Sequence, residues 1–84
     1  MKAPRLVLVH WLDSRQAEPH WQHASDIRGG VCECQSVGWL LKDGKKAKVL
    51  AASVADGFDQ ASAVIRIPAC AVTRIVDLVE GRDG

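Results

Sequence analysis

Val37-Gly38-Trp39-Leu40-Leu41-Lys42-Asp43-Gly44-Lys45 reads as an apolar strand running into a turn. Val37, Trp39 and Leu41 share one face by two-residue spacing, which predicts that Trp39 is core. Gly38 between them marks a place where a barrel strand has to bend. Asp43-Gly44 between two strand patterns predicts a two-residue hairpin with both central residues at positive φ, the geometry that matches strand twist. Lys45 to Val54 is then the antiparallel partner.

Outward from this hairpin the chain reads as more strands. Asp56-Gly57 marks a second, longer turn, after which Ser62 to Ile67 sets Ala63, Ile65 and Ile67 against Ser62, Val64 and Arg66. Pro68 removes a ladder donor and ends that strand; Ala69-Cys70-Ala71 allows a one-turn 3₁₀ corner, and Thr73 to Val79 forms the fifth strand. On the other side, Arg5 to Leu12 is a first strand closed by the turn pair Asp13-Ser14. Its apolar residues fall on both faces, which predicts burial on both sides or contact with another subunit.

Between these strands lie seventeen residues, 14 to 30, that are polar and without period before Gly29-Gly30. Pro19 opens at most one helical turn, through Trp21 and Ala24. A connection this long in so small a domain is expected to be functional, mobile or interface-forming.

The 84 residues leave room for one domain, 1–84, with a frayed tail at 80–84. Hydrophobic content of 48% with 25% charged residues excludes a disordered or low-complexity chain. A net charge of +1 and a pI near 7.8 exclude a global field that would draw the chain to nucleic acid or anionic membrane. No apolar run approaches the ~20 residues that a bilayer helix needs, and Met1-Lys2-Ala3-Pro4 leads into a strand instead of a signal peptide.

Val9-His10-Trp11-Leu12-Asp13-Ser14, the isolated Trp21, Ser36-Val37-Gly38-Trp39-Leu40, and Ile67-Pro68 with Val72, Ile75 and Leu78 behind it resemble a group of small bacteriophage and prophage proteins of unknown function. The order of elements is also similar to the Sm-like, SH3-like barrel, whose second strand is long and bent and whose fifth strand follows a 3₁₀ corner. The resemblance implies a mainly β, five-stranded closed barrel. It also implies a cyclic homo-oligomer in which the fourth strand of one copy pairs with the fifth of the next, and a bacterial host cell, in which the lack of a bilayer-length apolar run or signal peptide predicts a cytoplasmic location. RNA-binding Sm proteins carry an Asp and an Asn in a loop and an Arg-Gly or Lys-Gly pair before the last strand. Here the corner reads Ile67-Pro68-Ala69, and Asp43 has no Asn beside it. The fold therefore carries over and the RNA site does not.

Candidate chemistry is sparse. His20-x-x-His23, Cys32-x-Cys34 and Cys70 are soft ligands, but Cys32 and Cys34 at i and i+2 of a strand read as small buried side chains on one face, oriented poorly for a mutual bridge. Reduced thiols, no metal and no cofactor are expected. Asp13, Ser14 and His10 lack any accompanying nucleophile motif, and Asp13-Ser14 reads as a backbone-bonding turn, so no enzyme activity is expected. Lys42, Lys45, Lys46 and Lys48 form a basic cluster that reads as a solvated turn or as an RNA-backbone contact. Trp21 either pins its loop to the barrel or anchors a partner. With Trp11, Val64, Val76 and Val79 it makes up the expected subunit interface. The leading reading is a homo-oligomeric structural or interaction module, and the alternative is an RNA-binding Sm-like protein.

Overall fold

In the computed structural model, which describes residues 3–16 and 19–81, five strands form one antiparallel sheet. They are β1 (Arg5–Asp13), β2 (Cys32–Asp43), β3 (Ala47–Ala55), β4 (Gln60–Pro68) and β5 (Val72–Asp77), in the order β4-β3-β2-β1-β5. A 3₁₀ turn, Ala69–Ala71, precedes β5, as the small residues after Pro68 predict. The other 3₁₀ turn, Ala24–Asp26, comes later in the long loop than the turn expected to open at Pro19.

The sheet is not closed into a barrel. Closure needs β4 to reach β5, yet among the described residues β4 pairs only with β3 and β5 only with β1. The reason lies in β4: only Ile67 is buried, so Gln60–Arg66 has nothing to fold over. Ala63, in mid-strand, sits at φ 52°. A left-handed residue of this type costs roughly 1–2 kcal/mol and interrupts a regular strand.

The core is small and lies on one face. Val7, Val9, Leu40, Leu50 and Ile67 form it, with Trp11, Ala71, Val72 and Ile75 packed at its margin. The register explains the choice of face. Val7 pairs with Gly38 and Val9 with Ser36 on β2, and Val9 pairs with Ile75 on β5, so these residues share the inner surface. Leu6 opposite Trp39, and Leu8 opposite both Val37 and Val76, share the outer surface.

Trp39 is therefore not a core residue. Both faces of β2 are apolar around Gly38, and a two-residue period does not say which is inside. The inner face carries Gly38 and Leu40, while Val37 on the outer face is 59% exposed. Trp39 meets the Phe58 ring edge to face at 5.4 Å and 72°. Such a pair contributes about 0.5–1.5 kcal/mol beyond burial.

The turns also differ from expectation. Asp43 stays in β2, and neither it nor Gly44 takes positive φ. A bulge between Leu40 and Lys42 takes up one residue of β2, so the reversal falls at Lys45-Lys46, closed by Gly44 N–H donating to the Ala47 carbonyl at 3.1 Å. The positive-φ turn occurs in the next hairpin, where Asp56 (53°), Gly57 (65°) and Phe58 (74°) precede Asp59 and the Asp59 N–H donates to the Asp56 carbonyl at 3.2 Å. This turn places Phe58 over Trp39.

Candidate functional site: two open sheet edges

A sheet edge offers unpaired N–H and C=O groups, and soluble proteins normally protect it with lysines, bulges or cover. β4 and β5 are the two edges here; neither contains a lysine, and what guards them is one arginine each (Arg66, Arg74), Pro68 at the end of β4 and a bulge at Thr73 in β5. Alternation puts β-branched residues on both faces of both edges. Val64 (38% exposed) lies outward opposite Ala51, and Ile65 (38% exposed) lies inward opposite Leu50. On β5, Val76 lies outward opposite Leu8 and Ile75 inward opposite Val9, both half-buried.

The other expected interface residues fall in different places. Val79 is 89% exposed but lies beyond β5, which ends at Asp77, two residues earlier than expected. The ladder stops there after the Leu78 N–H donates to the Leu6 carbonyl at 2.8 Å. Trp11 faces inward and is half-buried at the core margin, its indole Nε1–H donating to Ser36 Oγ at 3.0 Å. Trp21 is 100% exposed, so it does not pin its loop to the sheet. Every described residue of that loop from Ser14 to Val31 is likewise exposed.

The basic cluster divides in two. Lys42, Lys45 and Lys46 are exposed at the hairpin end, whereas Lys48 is half-buried and donates to Asp43 Oδ1 at 2.5 Å. That hydrogen bond, with the charges of Lys48 and Arg5, holds the Asp43 carboxyl below its usual value. Arg5 also reaches Asp77 at 3.1 Å and Asp43 at 3.5 Å, linking the ends of β1, β2 and β5. Lys48 is thus committed to the sheet and three lysines remain for a polyanion.

The cysteines are half-buried at positions 32 and 34 and exposed at 70, all three as thiols. Cys32 and Cys34 share the inner face, less buried than expected, and their Sγ atoms lie 3.8 Å apart. Burial foremost, then the hydrogen bond and charge of Cys32 and the charge of Asp13, push the Cys34 thiol up. Among the described residues no three His, Cys, Asp or Glu side chains gather at metal-binding distance.

Nor do Asp13, Ser14 and His10 assemble. Residues 10 and 13 of one strand point to opposite faces. Asp13 Oδ1 accepts the Ser14 backbone N–H at 2.8 Å, as a turn-closing pair should, while the His10 ring meets the Gln35 amide at 3.3 Å. Between His10, Leu12, Glu33, Gln35 and Thr73, at the loop end of the β1–β2 hairpin, lies a depression of about 540 Å³. It escapes sequence reasoning because its lining comes from three strands.

Among the described residues no helix is long and apolar enough to cross a membrane. Compared with known proteins, the chain matches no family model, no curated protein and no solved structure.

Proposed function

We propose that this protein is a self-associating Sm-like module of phage origin, working in the bacterial cytoplasm. It acts as a structural or interaction unit, and the β4 edge of one copy pairs with the β5 edge of the next. The observation that carries this reading is the state of β4, an edge strand of nine residues with a single buried side chain. Pairing supplies what the single copy lacks: Val64 and Ile65 on the two faces of one edge meet Val76 and Ile75 on the two faces of the other. Head-to-tail contacts of this kind close into a ring when the rotation permits. The bent twelve-residue β2 and the 3₁₀ corner before β5 are the features that support the Sm-like resemblance.

The surface points the same way. The chain exposes 7114 Å², against about 4,900 Å² for a compact monomer of this mass. Its radius of gyration is 16.9 Å, against about 12 Å for a compact domain of this length. Part of the excess, roughly 2,200 Å² per copy, lies in the exposed 14–31 loop; obligate subunit interfaces bury areas of this scale.

Val64→Lys and Val76→Lys leave the backbone intact and place a charge on each edge. Light scattering on the two variants tests the reading. Both are expected to fall to a monomer with an unchanged β spectrum; assembly unaffected by either rejects edge pairing.

RNA binding is the second reading, favoured by the exposed Lys42 near the end of β2 and the exposed Lys45 and Lys46 in the turn that follows. A ring multiplies that patch, and avidity offsets weak single sites.

A further inference from the structure

We infer that Trp21 is an anchor between copies, its indole seated in the depression formed by His10, Leu12, Glu33, Gln35 and Thr73 of the neighbouring copy. This rests on the ring reading above, because Thr73 belongs to β5, the edge on which the neighbour docks.

The exposure of the loop carries it. Trp21 is fully exposed, and Ile27 (58%) and Val31 (51%) accompany it in a loop that buries none of its described residues. A fully exposed tryptophan is unusual, and tryptophan is the residue most enriched where interfaces gain their energy.

The receiving depression suits an indole chemically. Its volume of about 540 Å³ holds a tryptophan side chain, with the 38%-exposed Leu12 as apolar lining. The Glu33 carboxylate and the Gln35 amide oxygen are acceptors for an indole N–H, which seeks a partner when buried. The distances also fit. From Asp13 to Trp21 the chain spans at most about 28 Å. With the neighbour's β4 docked on β5, the neighbour's β1 lies four strand spacings from that β5, about 19 Å.

The test mixes two full-length chains: an unlabelled chain with a photoreactive benzophenone side chain at position 21, and a ¹⁵N-labelled chain of natural sequence. After irradiation and trypsin digestion, the expected product joins the unlabelled position-21 peptide to labelled peptide 6–15 or 29–42. Leu12→Asp in the labelled chain is expected to abolish that product while leaving the assembled mass unchanged. Cross-links within one chain only, or none to either labelled peptide, overturn the anchor even where the same sample is assembled. A mixed sample that is wholly monomeric overturns the ring reading and the anchor together.

Discussion

Gly38 lies against Ala51 so closely that a Cβ on Gly38 would stand 2.8 Å from the Ala51 carbonyl oxygen and 3.3 Å from the Leu50 Cβ. Beside this close approach Leu40 pairs directly with Leu50, and both enter the core with Val7 and Ile67. The obstructing atom is backbone within a paired strand and has no rotamer by which to withdraw. Gly38→Ala is expected to destabilise the protein by about 1–3 kcal/mol, the usual cost of overpacking. Urea denaturation followed by far-ultraviolet circular dichroism measures it, and an unchanged midpoint contradicts the close approach.

Asp43 ties the hairpin end to Lys48 and Arg5. Its carboxyl is held below the ordinary value, so the folded form binds a proton less readily than the unfolded form. The resulting stabilisation is complete above the ordinary carboxylate pKa of about 3.9 and is lost as pH falls through the lowered value. Asp43→Asn removes it. Thermal unfolding of the natural protein and this variant should differ at pH 7 and converge at low pH; a gap that widens on acidification contradicts the pairing.

The thiols should react in order of access. Cys70 is exposed, whereas Cys34 is half-buried with its thiol pushed up, and the thiolate is the reacting form. A disulfide reagent at pH 8 is expected to modify Cys70 before Cys34, with all three cysteines titrating after unfolding without reductant. Faster labelling at Cys34, found by peptide mass, contradicts the burial of that strand end.

For RNA, the exposed lysines fix the expected salt response. Replacing Lys45 and Lys46 with Ala should weaken binding of a single-stranded oligonucleotide and flatten its log–log salt slope by about 0.7 for each phosphate that the variant no longer neutralises. Filter binding at a series of salt concentrations measures this. Binding indifferent to both lysines places RNA elsewhere than the hairpin.

Most of the sheet was legible in the residues, because alternation, Pro68 and the small residues after it are local signals. The inner face of β2 was not. Val37, Trp39 and Leu41 make as good an apolar face as Gly38 and Leu40, and the choice depends on the approach of β2 to Ala51. The Asp43-Gly44 signature failed because a bulge at Leu41, invisible in composition, moved the reversal to Lys45-Lys46. Closure failed for a related reason: β4 reads as an alternating strand of a closed barrel, but Ile67 is the one residue of it that reaches the core. The candidate site was legible only in part. Val64 and Val76 fall on open edges, whereas Val79 lies past its strand and Trp11 at the core margin, because strand ends and strand faces are set by pairing partners.

Native mass spectrometry of the unmodified protein at micromolar concentration tests edge-to-edge self-association most directly. One closed species at an integer multiple of 9.1 kDa, persisting through tenfold dilution, is the predicted result. A single 9.1 kDa monomer at every concentration contradicts it.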